Sequence, residues 1–242
     1  MSDLAILYQD ETLIAINKPP GLLVHRSPID KKETRFAVQQ LRDQIGRHVF
    51  PVHRLDRPTS GVLLFTYSGD TASQLGIQLM QKQVKKQYAA VVRGHMHGTG
   101  FIDYPLKYRY DKFADKDKKR QLAPQSAQSE YIAVRRYELP YSSGRYPTSR
   151  FSLIMLSPLT GRKHQLRRHC AHVRHPILGD TTHGDGKQNK FLRETFTFEN
   201  LALSCTQLGF FHPDSGKWTE ITSPVHDAMQ ALLHRWAPWQ VD

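Results

Sequence analysis

"HVFPVHRLDRPTSGVLLF", residues 48–65, sets an acid between two arginines and follows it at once with an apolar run. Pro58 fixes one backbone dihedral, and Thr59, Ser60 and Gly61 suit a tight reversal into the buried strand that "GVLLF" (61–65) predicts. Asp56 is then displayed on a turn braced by a rigid strand, where functional side chains concentrate. Arg54 and Arg57 favour its ionised form if they approach it. By residue type alone, an ordinary surface salt bridge is the better reading.

Outward from this turn, strand and helix signals alternate. "LAILYQDETLIAINKP", from Leu4, predicts two short strands around a "QDE" turn, and "NKPPGLLVH" breaks the pattern with two prolines and a glycine. Val38, Leu41 and Ile45 recur at helical spacing after Thr34, the expected N-cap, and Gly46 ends the helix. Ala72, Leu75 and Leu79 mark a second helix from Asp70. "VKKQYAAVVRG" (84–94) predicts a strand with Tyr88, Ala90 and Val92 on one face, and "SEYIAVRRYEL" and "RFSLIMLSP" predict a strand pair. Ser223 and Pro224 suggest the cap and first turn of a final helix, with Val225, Met229, Leu232 and Trp236 as its core stripe. Tyr110–Gln121, "YDKFADKDKKRQ", reads as a solvated charged loop, with an RNA-contacting loop as the rival reading. Strands outnumber helices and no seam divides the chain. The expectation is one α+β domain built on a mixed, largely antiparallel sheet.

Composition narrows the function classes. The chain has 242 residues, 34 Lys and Arg against 22 Asp and Glu, 13 His, a formal net charge of +12 and a pI near 9.8. That is the electrostatic footprint of a protein that meets a polyanion, nucleic acid first. The two cysteines, Cys170 and Cys205, suggest no disulfide framework. The N-terminus lacks the basic start and apolar core of a signal peptide, and no apolar run nears the roughly 20 residues needed to span a bilayer. A soluble, cytoplasmic protein without membrane contact is expected.

A second segment, "TGRKHQLRRHCAHVRHPILGD" (160–180), carries Arg162, Lys163, Arg167, Arg168 and Arg174 among four histidines. On a helix, Leu166, Cys170 and Val173 form an apolar stripe, and the cations spread over the other faces, where they can grip phosphates. His164, His169, His172 and His175 raise the question of a metal, but neither HExxH nor paired CxxC accompanies them, and cations crowd the segment. No metal is expected.

Together, "HRLDRPTSG" (53–61) and "GRKHQLRRH" (161–169) resemble the two signature segments of the RluA-type pseudouridine synthases. "KKQYAAVVRG" (85–94) resembles that family's tyrosine motif, "NKPPGLLVH" (17–25) its N-terminal strand and turn, and "HPILGD" (175–180) the segment after the arginine motif. The matches fall in the family's order, and they imply a single catalytic domain over 1–242 with its core at about 4–228. Many relatives carry an N-terminal S4-type RNA-binding domain; here the pattern begins within the first residues, so none is expected.

The resemblance implies a chemistry. Such enzymes detach uracil from ribose at N1, rotate it and reattach it through C5, with no metal or organic cofactor. Asp56 takes the family's catalytic position, Arg167 pairs with it, and Tyr88 stacks on the uracil. Leu166 packs the other side of the pocket, and Arg54 fills the stack that the flipped base leaves. Arg57, Arg162, His164 and Gln165 are motif residues expected to bind substrate or support the site, Gln165 and His53 chiefly as supporting structure. The wording "RRH" and "HVRHPILGD", with "GRYPTSRF" (144–151), is closest to the bacterial branch that modifies uridine 65 in the acceptor-side region of tRNA. A tRNA substrate, no obligatory protein partner and a monomer are therefore expected. A ribosomal RNA hairpin is the alternative substrate. A non-catalytic RNA-binding module explains the charge but not an acid within a basic site. A nucleic-acid glycosylase also uses an Asp near C1′ of a flipped base, but it would release free base.

Overall fold

The computed structural model describes residues 3–26, 34–108 and 123–242. The charged segment Tyr110–Gln121 lies outside them. The N-terminal apolar run forms strands β1 (Ile6–Gln9) and β2 (Leu13–Lys18), paired antiparallel as expected. They turn on Asp10, whose carboxylate accepts the N–H groups of Thr12 and Leu13 at 2.8 and 2.7 Å. Helix α1 (Ala37–Ile45) buries Ala37 and Leu41 and stops at Gly46, which adopts the left-handed conformation at φ 65°. Thr34 is not its cap. Phe36 holds that position without a side-chain bond, and the carbonyls of Leu23 and Val24 accept the N–H groups of Ala37 and Val38.

Strands β3 (Phe50–Pro51) and β4 (Ser60–Thr66) flank the Asp56 turn, and all of β4 is buried. Helix α2 (Gly69–Met80), capped by Ser68, leads to β5 (Lys85–Arg93). Then come β6 (Thr99–Asp103), β7 (Gln128–Leu139) and β8 (Ser149–Pro158). Helix α3 (Gln165–His172) starts in the arginine-rich segment; Leu166 and Cys170 are buried, while Val173 falls at its C-terminal cap. Helix α4 (Gly186–Phe196), β9 (Leu203–Phe211), β10 (Trp218–Thr222), α5 (Asp227–Trp236) and β11 (Gln240–Val241) complete the described chain. Helix α5 begins later than Ser223 and Pro224 suggest. The Ser223 N–H goes to the Thr206 carbonyl, and the His226 imidazole caps the helix by accepting from the Met229 N–H. Met229, Leu232 and Trp236 are buried on the helix as expected, with Trp236 stacked on Phe151 at 4.7 Å, but Val225, the first residue of the predicted stripe, lies before the helix and is half-buried.

The strands join in one sheet in the order β1-β2-β4-β9-β5-β8-β7-β11, with β3 beside β4, β10 beside β9 and β6 beside β7. Among the described residues every pairing of these strands is antiparallel except β4 with β9, so the sheet is mixed and largely antiparallel, as the sequence predicts. The parallel seam is short, with Ser60 opposite Ser204 and Gly61 opposite Cys205. On the other side of β9, Cys205 faces Tyr88, and a bulge interrupts β5–β9 between Gln87 and Tyr88. Gly61, Cys205 and Tyr88 therefore lie in one row across three strands. Adjacent strands sit roughly 4.8 Å apart, so that row brings the Asp56 turn and Tyr88 to the same part of the sheet.

Gly61 is required at this seam. Its φ is +103°, and a Cβ there would come within 2.1 Å of the Cys205 carbonyl oxygen. Gly61→Ala is expected to destabilise the protein by about 2–3 kcal/mol, because strained backbone and a backbone clash combine. Urea unfolding at neutral pH measures the loss.

Candidate active site

Four backbone features build the site. The first is the turn before β4, closed by a hydrogen bond from the Thr59 N–H to the Asp56 carbonyl at 3.0 Å. The turn is tied to the N-terminal "KPPG" corner: the Gly21 N–H donates to the Arg57 carbonyl at 2.9 Å, and Arg57 Nε returns a bond to the Gly21 carbonyl at 3.0 Å. Between the two lies Lys18, fully buried. Its ammonium donates to the carbonyls of Pro19 and Leu22 at 2.8 Å each and of Arg57 at 3.1 Å. Burial draws its pKa down, the Asp56 carboxylate opposes this, and three carbonyl acceptors suit the ammonium's three donors.

The second feature is the start of α3. Gln165 is buried with both ends of its amide engaged. Its carbonyl accepts from the Thr160 hydroxyl and the Arg162 N–H, and its NH2 donates to the Gln128 carbonyl and Ser129 Oγ. His169 adds a contact to Ser129 Oγ at 3.0 Å. Gln165 thus fixes α3 against β7, and Arg167, two residues on, points back towards the Asp56 turn.

The third is the loop after α3. The Leu178 N–H bonds the Val91 carbonyl on β5, and the Ala202 N–H bonds the Leu178 carbonyl. Asn189, at the start of α4, brackets the loop by accepting from the Gly179 N–H and donating to the Asp180 carbonyl. Asp180 is held here with its side chain 1% exposed. Its carboxylate takes Arg167 Nε and Nη2 at 2.7 Å each, and its Oδ1 also accepts the N–H groups of Thr182 and His183.

Arg167 is the joint of the site. Two of its guanidinium nitrogens are fixed by Asp180, and the third, Nη1, faces Asp56 Oδ2 at 3.3 Å. Burial works against the Arg167 charge, but the bonds and charge of Asp180, with Asp56 behind them, more than offset it and raise its pKa. Burial likewise pushes the Asp180 pKa up, and the Arg167 bonds and the loop N–H groups bring it below its ordinary value. The result is a locked, charged guanidinium presented to a carboxylate whose side chain is still 29% exposed.

The fourth is β5. Tyr88 is buried beside Cys205, and its phenol pKa stands well above the ordinary value, through burial first, then Cys205, then the Asp56 charge. At neutral pH it is therefore an uncharged phenol that can stack or donate, not a phenolate. His164 completes the surround of Asp56, with Nε2 at 3.9 Å from Oδ2. Leu166 is buried on α3. Arg54, Arg57 and Arg162 are exposed around the opening; Arg162 Nε donates to the Ser126 carbonyl. His53 is buried, accepts from the Leu64 N–H at 3.3 Å, and is held neutral by burial and the nearby Lys86 charge, with its pKa down to about 3.

Sequence reasoning did not single out Asp180 or Lys18. Asp180 had a signal: it is the one acid in the basic segment 160–180, the same anomaly that drew attention to Asp56. Lys18 had none, since a lysine ending a strand is ordinarily solvated. The histidines are engaged elsewhere. His169 contacts Ser129 and the Tyr104 carbonyl, His172 stacks on Tyr104, and His175 meets the Arg93 carbonyl. Among the described residues no group of three or more His, Cys, Asp or Glu is placed to hold a metal ion.

Comparison with known proteins shows the family. Residues 12–172 match the family described as RNA pseudouridylate synthase. The chain is similar to the tRNA pseudouridine synthase C of Pasteurella multocida, 55% identical over 231 residues, covering 96% of this chain and 95% of that one. It is similar to those of Haemophilus influenzae, at 50% identity with 98% and 99% covered, and Vibrio parahaemolyticus, at 49% with 96% and 95%. Among solved structures it shares its fold with human RNA pseudouridylate synthase domain containing 1, with a TM-score of 0.70 and 22% identity over 99% of this chain and 97% of that one. With human RNA pseudouridylate synthase domain containing 4 the TM-score is 0.69 and the identity 25%, over 96% and 92%.

Two stability predictions follow from the site's supports. Asp180→Asn breaks a buried pair, and a loss of about 3–5 kcal/mol at neutral pH is expected. Asp180 titrates below its ordinary 3.8 in the fold, so the unfolded chain takes up the proton first as pH falls. The pair's contribution is whole above about pH 4 and is lost on further acidification, so the wild-type and variant unfolding curves should converge there. Lys18→Met takes the ammonium from the Pro19 and Leu22 carbonyls and leaves the Arg57 carbonyl only its bond from the Gly21 N–H, and a loss of about 2 kcal/mol is expected in urea unfolding.

Proposed function

The chain belongs to the RNA pseudouridylate synthase family, and we propose that it isomerises a specific uridine of tRNA, uridine 65, with Asp56 as the reacting carboxylate. The observation that carries the Asp56 assignment is the Arg167 guanidinium, locked by Asp180 on two nitrogens and presenting the third to Asp56. A surface salt bridge needs no such buried backing. The tRNA substrate is supported by relatives about half identical over nearly their whole length, whose names carry it. The uridine 65 assignment rests on the resemblance of residues 48–64, 144–151 and 161–189 to that branch.

A uridine within a helix must leave the stack to be reached, at a cost of a few kcal/mol. Arg54, exposed at the mouth, supplies a planar guanidinium for the vacated space. The extruded uracil lies between Tyr88 and Leu166, with C1′ and C6 towards Asp56. The N1–C1′ bond breaks, the ring rotates, C5 bonds to C1′, and the C5 proton leaves to water as the ring double bond is restored and N1 takes up a proton from water. Throughout, Arg167 keeps Asp56 oriented. The neutral Tyr88 phenol packs against the base without competing as an anion. Arg57 and Arg162 line the approach of the RNA backbone, and Gln165 acts through the placement of α3. The reaction takes no cofactor, and the protein works as a cytoplasmic monomer.

No helix among the described residues is long and apolar enough to cross a membrane. With a net charge of +12, binding should weaken steeply as salt rises, because each phosphate contact releases counterions. The test is tritium release from tRNA labelled at C5 of uridine, taken from cells lacking the protein. The wild type should release tritium. Asp56→Ala should bind the RNA at least as tightly, having lost a negative charge in a basic site, and release none. Release from ribosomal RNA alone would overturn the substrate, and mapping the product tests position 65. Full activity in Asp56→Ala would overturn the site.

A further inference from the structure

His164 is a non-glycine residue in the left-handed region, at φ 55° and ψ 29°. Such a residue costs of order 1 kcal/mol or more and persists only when its surroundings hold it there. Here they do. Its Nδ1 lies 3.0 Å from His183 Nε2, and its Nε2 lies 3.9 Å from Asp56 Oδ2. The His183 backbone N–H is in turn bound to Asp180, the carboxylate that also grips Arg167. Both arms that reach Asp56 are thus fixed by one buried acid.

The two arms meet the same atom. Arg167 Nη1 and His164 Nε2 both face Oδ2, and among the described residues no hydrogen bond reaches Oδ1. A carboxylate oxygen favours an N–H over a nitrogen lone pair, so His164 carries its proton on Nε2. Its Nδ1 must then accept, and the proton between the two rings belongs to His183 Nε2. Taking Asp56 as the reacting carboxylate, we propose that the His183–His164 pair is a positioning device that holds Asp56 through Oδ2 and so directs Oδ1 at the substrate. The 3.9 Å separation is expected to shorten when RNA fills the pocket, as contacts of this kind do between free and bound enzymes.

The charged and titratable groups facing His164 are Asp56 from the turn before β4, Lys163 beside it, Arg167 from α3, and Asp180 and His183 from the following loop. Burial lowers the His164 pKa from its ordinary 6.5, and the Arg167 and Lys163 charges add to this against the two acids. At neutral pH it is an uncharged donor. On acidification it becomes an imidazolium, which draws charge from Asp56 and slows the reaction.

The test is single-turnover tritium release at saturating enzyme, with RNA affinity measured alongside. His164→Ala and His183→Ala should each slow release about 10- to 100-fold, the range for losing a hydrogen bond to a charged group, with affinity unchanged within about twofold. His164→Gln places an amide N–H where Nε2 was, and it should recover most of the lost rate. It should also move the acid limb that the wild type shows below about pH 6.5 to lower pH, because an amide does not titrate. Wild-type release by His164→Ala, a loss seen wholly as weaker RNA binding, or a His164→Gln variant as slow as His164→Ala would each overturn the proposal. So would an acid limb that stays at the wild-type position in His164→Gln. Should His164→Ala fail to fold, His183→Ala and His164→Gln carry the test alone. Wild-type protein inert on every RNA would instead sink the assignment of Asp56 itself.

Discussion

The bidentate pair of Arg167 and Asp180 is the constraint from which the rest of the site hangs. A guanidinium offers five donors in a fixed plane. Asp180 takes those on Nε and Nη2, which leaves the Arg167 plane no freedom to turn. Nη1 is therefore aimed, and Asp56 lies where it is aimed. Asp180 can do this because it is itself fully committed, to Arg167 and to the N–H groups of Thr182 and His183. A buried pair short of partners would be a liability; one with its hydrogen bonds filled becomes a rigid mount.

That mount is useful only because the sheet delivers Asp56 and Tyr88 to it. The two come from strands that never touch. β4 lies on one side of β9 and β5 on the other. The register across β9 is fixed by the close approach of Gly61 to the Cys205 carbonyl and by the bulge before Tyr88. Bulges re-aim side chains, and this one sits next to the aromatic ring that faces the site. The Lys18 clamp sets the last degree of freedom, tying the Asp56 turn to the corner after β2.

The distribution of charge follows the same division. The cationic side chains that define the site are buried and fully bonded, Arg167 to two carboxylates and Lys18 to three carbonyls. Others, such as Arg54, Arg57 and Arg162, remain exposed around the opening, suited to contact a polyanion. A basic protein thus separates a small number of fixed charges from a larger solvated field. The fixed ones orient a carboxylate; the solvated ones draw in RNA.

By itself the sequence determined the buried strand that follows Asp56, most of the core stripe of the last helix, and the acid displayed on a proline-stiffened turn. These are local properties: periodicity, turn chemistry, and an acid out of place among cations. Tyr88 and Arg167 stood out only through motifs that resemble a known family. Helix starts were less legible: Phe36 and His226 hold the capping positions for which Thr34 and Ser223 are the suited residue types, because the Leu23 and Val24 carbonyls take the first N–H groups of α1 and the Thr206 carbonyl takes the Ser223 N–H. Only the tertiary structure decided that Asp180 backs Arg167, that Lys18 is buried among carbonyls, and that Gly61, Cys205 and Tyr88 share a row. Nothing in residues 203–211 marks them as the strand on which the two halves of the site are registered. Those facts depend on contacts between residues tens of positions apart, and a side chain's burial and partners are set by what the fold brings beside it, not by its neighbours in the chain.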